Sequence, residues 1–292
     1  MPNKLIWGCD PNLQYESSWI RSFVPVYEGD IPPATCNIVL VESGLPRLNP
    51  KTTKDFLALF DTQRIERINR LISSPMCSKF LIHLSDEEGF DGDTFYNILP
   101  PNIRIFRNFN HNRFDCYSSI TNFPIGPRDI FLDISSEDIV PASKRIYPWS
   151  FMGTIWQSGS RFKASSLFLH LMPDGFFHSS NGFARGLPLP QYRDVMQQSA
   201  FVLAPEGDRH LDTFRLWECL CCGCIPLVVD FSNQAYRLLG DRSPVPIFSS
   251  WKDAANFAIQ YRGSPSQLDD LQYRVYNWWS TLRSSLGTVF SL

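Results

Sequence analysis

The chain has 292 residues, of which 43% are hydrophobic and 19% charged, and its formal net charge is −2. This composition excludes a disordered chain and gives no support for a basic surface that binds nucleic acid. The length suits two domains of ordinary size or one large domain. No apolar run reaches the roughly 18 residues of a membrane span, and the first residues lack signal-peptide character. We therefore expect no transmembrane segment and a cytoplasmic protein, with peripheral attachment to a membrane left open.

The first half of the chain predicts an α/β domain. Short apolar runs predict strands, and a stripe of apolar residues at helical spacing predicts a helix. The strands are expected at residues 4–8, 37–41, 79–84, 103–107 and 121–126, and the helix at residues 52–73. Strands that alternate with helices or short connections indicate a Rossmann-like domain.

A segment with little periodicity follows, at residues 130–148. It contains Pro141 and ends at Pro148, and such breakers are typical of connections between ordered elements. We interpret it as a linker and predict an N-terminal domain over residues 1–140 and a C-terminal domain over residues 141–292.

The second half predicts another α/β domain. A strand is expected at residues 149–154, and helices are expected at residues 163–171, 192–199, 251–262 and 268–282. The terminal helix is rich in tryptophan, and two alternatives remain open for residues 268–284. They either cross back and pack on the N-terminal domain, or they cap the domain to which they belong.

The most informative stretch is residues 201–230. It predicts, in order, a buried strand at 201–204, a helix at 213–222 with Asp212 as its N-cap, a left-handed Gly223 and a buried strand at 225–229. Two strands joined through one helix by short connections are expected to be parallel. The N-terminus of that helix then lies beside the carboxyl edge of the sheet, where open α/β folds bind ligands.

Arg215 and Glu218 are three residues apart and therefore share one face of the predicted helix. A cation and a carboxylate near the N-terminus of a helix suit a nucleotide diphosphate. The arginine would meet a phosphate and the glutamate would meet the ribose hydroxyls.

This stretch resembles the exostosin-like family of glycosyltransferases. Members carry a loop with Pro and Gly, an acidic and a hydroxyl residue, an Arg and a Glu on a helix, and a Gly-Cys-Ile-Pro turn into a strand. The matching positions are Pro205, Gly207, Asp212, Thr213, Arg215, Glu218, Gly223, Cys224, Ile225, Pro226 and Asp230. The family more often has Ser where this chain has Thr213.

Further patterns outside this stretch add to the resemblance. The order Ser85-Asp86-Glu87, Arg107-Asn108 and Pro124-Ile125-Gly126, each at a predicted strand end, is similar to the branch that contains the ribitol-phosphate xylosyltransferases. Gly153, followed by Arg161 before a helix, looks like the start of the family's donor domain. A glycine there lets backbone approach a phosphate, and an arginine neutralises it. The alternative for these two residues is a plain turn with a solvated arginine.

The resemblance implies an α/β protein of the GT-B type, with two Rossmann-like domains that face a cleft. It implies a nucleotide-sugar donor, most simply UDP-linked, in the C-terminal domain, and a glycan or lipid-linked glycan acceptor in the N-terminal domain. The residues expected to bind the donor are Gly153, Arg161, Pro205, Gly207, His210, Asp212, Thr213, Arg215 and Glu218. No cofactor beyond the donor substrate is implied.

Metal binding is not expected. The only Asp-x-Asp string, at residues 91–93, lies outside the donor half, and we interpret it as a turn. His83 falls within a strand and is interpreted as a satisfied core residue. Four of the eight cysteines fall between residues 219 and 224, and we interpret them as buried free thiols rather than metal ligands.

The predicted function is an inverting, metal-independent glycosyltransferase for glycan biosynthesis. The acceptor hydroxyl needs a base as it attacks, and Asp86 and Glu87 are the best candidates because they follow a strand of the acceptor domain. Asp10, on the first loop, is the next candidate. Two alternatives remain open. One is an inactive glycosyltransferase-like module that binds a nucleotide or glycan, and the other is a GT-B sugar-nucleotide epimerase.

Overall fold

A computed structural model describes residues 3–10, 14–24, 37–44, 62–69, 79–87, 91–97, 99, 103–109, 111–155, 159–182 and 185–290. The chain divides into two compact units. The first comprises Met1–Ile125 and Ser285–Leu292, and the second comprises Gly126–Ser284. Within the described residues, each unit contains one parallel sheet of five strands.

The first unit contains a sheet whose strands follow one another in chain order. Its elements are β1 (Asn3–Trp7), α1 (Ser17–Phe23), β2 (Asn37–Ser43), α2 (residues 62–69), β3 (Lys79–Leu84), α3 (Gly92–Asn97), β4 (Arg104–Arg107) and β5 (Ile120–Asn122). Every residue of β2 except Ser43 is buried. The continuous apolar run at residues 38–41 of this strand is typical of a parallel sheet that is covered on both faces.

The predicted elements of the first unit are largely confirmed. The sequence predicts that the strand at 121–126 ends in a loop, and β5 does so after Asn122. Phe123 still donates its backbone N–H to Arg107 O at 2.8 Å, but the next residue is Pro124, which has no N–H to continue the ladder. Of the helix predicted at 52–73, residues 62–69 are helical, and the remainder lies outside the described residues.

The second unit has the strand order β10-β9-β8-β6-β7. Its strands are β6 (Tyr147–Thr154), β7 (Phe176–Ser180), β8 (Ser199–Leu203), β9 (Ile225–Val229) and β10 (Ile247–Phe248). Its helices are α4 (Ser160–Leu171), α5 (Leu189–Gln197), α6 (Phe214–Cys221), α7 (Gln234–Leu239), α8 (Trp251–Arg262) and α9 (Pro265–Val289), the last of which ends among residues of the first unit. All residues of β8 and β9 are buried.

The unit β8-α6-β9 confirms the strand–helix–strand prediction, because β8 and β9 pair in parallel. Gly223 has φ 61°, the left-handed conformation expected after a helix. A Cβ at this position would lie 2.6 Å from Cγ2 of Ile139. Glycine is therefore required both by the backbone and by close packing.

Two features of the second unit differ from the prediction. The helix expected at 192–199 is α5, which begins at Leu189 because proline at its second position suits a first helical turn. The same segment stops short of Ser199, which begins β8. The sequence does not predict β7, because the residues of this strand are mostly half-buried and form no clear apolar run.

The predicted linker is held to the second unit by side chains of α9. Gln272 accepts from the backbone N–H of Ala142 at 2.7 Å and donates to Val140 O at 3.0 Å. Three short 3-10 turns interrupt the segment, at Asp129–Phe131, Ser136–Asp138 and Ala142–Lys144. The domain limits at residues 1–140 and 141–292 stay a prediction.

The cysteines of the motif are buried free thiols, as expected. Cys219, Cys221, Cys222 and Cys224 are all free and buried. Burial raises the pKa of the Cys221 thiol to about 12, so it behaves as a small apolar side chain. Among the described residues, no helix combines the length and the apolar character that crossing a bilayer requires.

Candidate active site

The candidate site lies where the second sheet reverses its strand order. From β6 the chain adds β7 on one side and then returns to add β8 on the other side. In open α/β sheets, the crevice beside the carboxyl ends at such a reversal is the usual ligand site. The helix α6 follows β8 directly, so its N-terminus lies at this edge.

Arg215, in the first turn of α6, reaches the end of β6. Its Nη2 donates to Met152 O at 2.9 Å, and its guanidinium lies 4.5 Å from the centre of the Phe151 ring. A Cβ on Gly153 would lie 2.3 Å from the same Nη2. Glycine at 153 therefore makes room for the arginine. The side chain is 8% exposed, and its Nε has no hydrogen-bond partner among the described residues.

The start of α6 differs from the prediction in one respect. Asp212 is not the N-cap: Thr213 holds that position, and the Asp212 carboxylate accepts from Trp217 Nε1 at 2.7 Å. The Thr213 side chain makes no capping bond. Its Oγ1 is buried and has no partner within the described part of the chain, and a buried hydroxyl without a partner is costly.

The loop between β8 and α6 is closed by its own bonds. Gly207 N donates to His210 O at 2.7 Å, and His210 Nδ1 accepts from Asp212 N at 3.0 Å. His210 is 2% exposed, so the ring fixes the loop from inside. Pro205 is buried where β8 ends.

Arg161, at the start of α4, lies between the ends of two strands. It donates from Nε to Glu206 O at 3.2 Å, and from Nη1 to Thr154 O at 3.2 Å. With Arg215 bound to Met152 O, two guanidinium groups flank Gly153. This edge of the sheet is therefore electropositive and suits an anion.

Glu218 faces two residues that sequence reasoning missed. Its carboxylate is 1% exposed and accepts from Arg128 Nε at 2.5 Å. The Tyr192 hydroxyl also hydrogen-bonds Glu218, and burial together with this carboxylate raises the Tyr192 pKa above its ordinary value. No local pattern links Arg128 to Glu218, because the two are 90 positions apart in the chain. No pattern in the sequence points to Tyr192 either.

The candidate bases lie in the first unit, at the ends of β1 and β3. Asp10 is exposed, and Glu87 is partly exposed. Asp86 is 2% exposed, and its Oδ2 accepts from Arg107 Nη2 at 3.0 Å. The strand β2 separates β1 from β3 in the sheet. The structure thus groups Asp86 with Glu87 and sets Asp10 two strands away.

Asp91, predicted to form only a turn, belongs to a buried ionic cluster. It accepts two bonds from Arg64, at 2.9 and 2.8 Å, and a third from His83 Nε2. Burial raises the pKa of this carboxyl, but the bonds from His83 and Arg64 outweigh burial and lower it to about 2.

His83 is a fully buried and satisfied core residue, as predicted. Arg107 Nη1 lies 2.9 Å from His83 Nδ1, and Tyr96 OH lies 2.7 Å from the same atom. Because arginine can only donate, Nδ1 is an acceptor, and the ring is neutral with its proton on Nε2. Burial lowers the pKa of His83 and outweighs the Asp91 bond, which agrees with this geometry.

Three residues of this cluster have the spacing of a metal site. One ligand atom from each of His83, Asp86 and Asp91 lies within 4.8 Å of the others. However, Arg64 and Arg107 already bind the two carboxylates, each through a buried ion pair. A divalent cation would have to displace or oppose both guanidinium groups, so the residues present do not favour one.

The end of β3 carries backbone strain. Ser85 has φ 61° and Phe109, after β4, has φ 51°, a conformation that costs a non-glycine residue energy. Between them, Asn108 Oδ1 accepts from Ser85 N at 3.0 Å, while its buried Nδ2 has no partner in the described segments. Strain of this kind clusters at functional sites.

These features identify the fold. The two parallel sheets with their helices form the GT-B fold of glycosyltransferases. A crystal structure of the DNA modifying enzyme β-glucosyltransferase, studied with and without uridine diphosphoglucose, matches with a TM-score of 0.51 and 11% identity over 100% of this chain and 98% of that one. A structure of T4 phage BGT with its UDP-glucose substrate has a TM-score of 0.47 and 9% identity, over 100% of this chain and 96% of that one.

In sequence, the chain is similar to ribitol-5-phosphate xylosyltransferase 1 of Danio rerio. The two are 23% identical over 296 residues, which cover 91% of this chain and 64% of the relative. The chain thus spans less than two thirds of the relative's length. No family model matches the chain. The solved structure establishes the fold, and the similarity in sequence is to a xylosyltransferase.

Proposed function

We propose that the protein is an exostosin-like, inverting glycosyltransferase that uses a UDP-linked sugar. The observation that carries the proposal is the start of α6. Thr213 Oγ1 and Arg215 Nε are buried polar atoms without partners among the described residues, and they lie together at the carboxyl edge of a parallel sheet. A diphosphate oxygen would satisfy the donors that the protein leaves open.

Catalysis by such a site requires stabilisation of the leaving diphosphate. Arg161 and Arg215 would supply fixed positive charge, and the N-terminus of α6 would supply backbone N–H groups. The two guanidinium groups are already oriented by the backbone carbonyls to which they donate hydrogen bonds. We therefore propose that charge on the diphosphate is neutralised by the protein, without a resident metal ion.

The acceptor would be a glycan or a lipid-linked glycan whose hydroxyl attacks in a single displacement. That attack needs a base, and we propose Glu87 or Asp86, with Asp10 as the next candidate. Glu87 is the more accessible of the first two, because Asp86 is buried against Arg107. The expectations that the protein binds no nucleic acid and is cytoplasmic stay predictions.

The decisive experiment has two stages. Calorimetric titration with UDP and GDP asks whether the site binds a nucleotide, and we expect UDP to bind. Incubation with a panel of UDP-sugars then asks whether the sugar is released slowly to water, and NMR of the first-formed product identifies inversion at the anomeric carbon. The absence of nucleotide binding would overturn the proposal.

One observation favours a second candidate, an inactive binding module. Asp86, which the sequence ranked among the best bases, is tied to Arg107 and nearly inaccessible. Tight UDP binding without release or transfer of any sugar would support the module. Conversion of a UDP-sugar to its epimer without an acceptor would instead identify an epimerase.

A further inference from the structure

The buried carboxylate of Glu218 is held by two residues outside its motif. Arg128 precedes the 3-10 turn Asp129–Phe131, and Tyr192 belongs to α5. Arg128 contacts Oε1 of the carboxylate, and the Tyr192 hydroxyl forms a second hydrogen bond to it. The side chain of Glu218 is thus oriented before any ligand arrives.

Arg128 is itself held in place. Its guanidinium lies 5.0 Å from the centre of the Tyr192 ring and 6.0 Å from that of Phe131. Its segment is anchored to α5 by Arg193, which donates to Ile130 O at 3.2 Å. The Arg128 side chain is only 22% exposed, so the ion pair is protected from much of the screening that weakens surface pairs.

The ion pair has a chemical consequence for Glu218. A buried carboxylate is stabilised by a cation beside it, and Arg128 is that cation for Glu218. Tyr192 remains a hydrogen-bond donor because burial raises the pKa of its hydroxyl. An ionised carboxylate has about four acceptor positions, so two donors leave positions for vicinal hydroxyls.

We infer that Arg128 and Tyr192 are positioning residues that make the Glu218 carboxylate selective for the ribose diol of the donor. This inference rests on the proposed function, because it requires a nucleotide in this site. It assigns to the connection after Gly126 a direct part in donor choice. Loss of Arg128 is then expected to act on the ribose hydroxyls and not on the diphosphate.

The test compares UDP with 2′,3′-dideoxy-UDP by calorimetry. We expect the wild-type protein to prefer UDP by about 10-fold or more, the size of one hydrogen bond to a charged group. Arg128→Met should reduce that ratio to within about 3-fold by weakening UDP while leaving the dideoxy compound nearly unchanged. Arg128→Lys, which keeps the charge, should retain part of the preference, and Tyr192→Phe should fall between.

Two controls separate positioning from general damage. Arg193→Met removes the neighbouring arginine, which anchors the same segment but does not touch Glu218, and it should preserve the ratio. In a double-mutant cycle, adding Arg128→Met to Glu218→Gln should change the ratio little further, because both act on one group.

The possible failures are distinguishable. If the wild-type protein binds neither nucleotide, the proposed function and this inference fall together. If UDP binds and Arg128→Met keeps the wild-type preference, the inference alone is wrong. Should Arg128→Met fail to fold, Arg128→Lys and Tyr192→Phe decide the matter through the same ratio. Unchanged preference in both of those would overturn it.

Discussion

Gly153 and Arg215 occupy complementary space: the guanidinium lies where any side chain at position 153 would have to go. A Cβ there would approach Nη2 to 2.3 Å. Nη2 is the end of a flexible side chain, so an added methyl group would push the arginine aside rather than break the sheet. The two residues therefore link the end of β6 to the N-terminus of α6 through one contact.

Gly153→Ala is expected to weaken UDP binding by about 10-fold, since it displaces a charged donor. The positive φ of this residue adds a cost in stability of about 1–3 kcal/mol. Calorimetry and thermal denaturation measure the two effects. Gly240→Ala is the matched control, because Gly240 also has a positive φ (79°) but no atom within 4 Å of the added Cβ. Equal loss of affinity in both variants would contradict the assignment.

Thr213→Val is expected to separate binding from stability. Valine has nearly the same shape and removes a buried hydroxyl that has no partner in the described residues, so the melting temperature should stay equal or rise. UDP affinity should fall by about 3- to 10-fold if the hydroxyl meets the diphosphate. Ser150→Ala is the control: its Oγ is likewise buried without a partner there, but it lies within β6. Unchanged affinity in Thr213→Val would remove this residue from the site.

The amides Glu87→Gln and Asp86→Asn test the proposed base. Loss of the base should lower turnover by about 10²–10⁴-fold with donor binding nearly unchanged. Asp86→Asn should also destabilise the protein, because it leaves the buried Arg107 without its ion-pair partner, whereas Glu87→Gln should not. Near-normal turnover in both variants would move the base elsewhere, and Asp10→Asn would be tested next.

Transfer rates in excess chelator are expected to stay within about 3-fold of the rates with magnesium or manganese, since fixed cationic groups such as Arg161 and Arg215 would neutralise the diphosphate. Initial rates with each metal and with chelator alone measure this. Complete loss of transfer that is restored by one metal ion would show that the protein alone does not neutralise the diphosphate.

The cluster around His83 predicts acid sensitivity of the first unit. The folded pKa of His83 is lowered from 6.5, so its contribution to stability is complete above pH 6.5 and is lost as the pH falls toward the folded pKa. Asp91, lowered from 3.8 to about 2, loses its contribution only between those values. One proton changes the free energy of unfolding by at most about 1.4 kcal/mol per pH unit.

Urea denaturation at pH 7 and at pH 5 measures how the free energy of unfolding of the first unit depends on pH. Hydrogen exchange at the backbone amides of β3 is the readout. Stability should be lower at pH 5, and His83→Gln should flatten the dependence although it lowers stability at both values. His170→Gln is the control, because His170 is exposed on α4. Identical pH dependence in the wild type and in His83→Gln would exclude His83 as the origin.

The sequence predicts the parallel units well, because strands such as β8 and β9 are continuous apolar runs and Gly223 marks the end of a helix. It fails where partners come from distant segments. Asp212 has the residue type of an N-cap, but Trp217 Nε1 takes its carboxylate. Arg128 meets Glu218 across 90 positions of the chain, and a local pattern carries no information on such a pair.

The same limit applies to the first unit. The residues around Asp91 predict a turn, and Asp91 does lie in a turn. The sequence does not show that its carboxylate accepts hydrogen bonds from Arg64 and His83. The sequence placed Asp86 at a strand end, as observed. It did not show that Arg107, from the next strand, would bury that carboxylate.

Phe290 completes the core of the first unit although it follows the whole of the second unit in the chain. Its ring is fully buried and lies 5.7, 4.9 and 6.3 Å from those of Phe80, Phe106 and Phe123. During synthesis the ribosome delivers this ring only after every residue of the second unit has left it. Until then the three phenylalanines lack this packing partner, so the core of the first unit cannot be complete before the residues of the second unit have been synthesised.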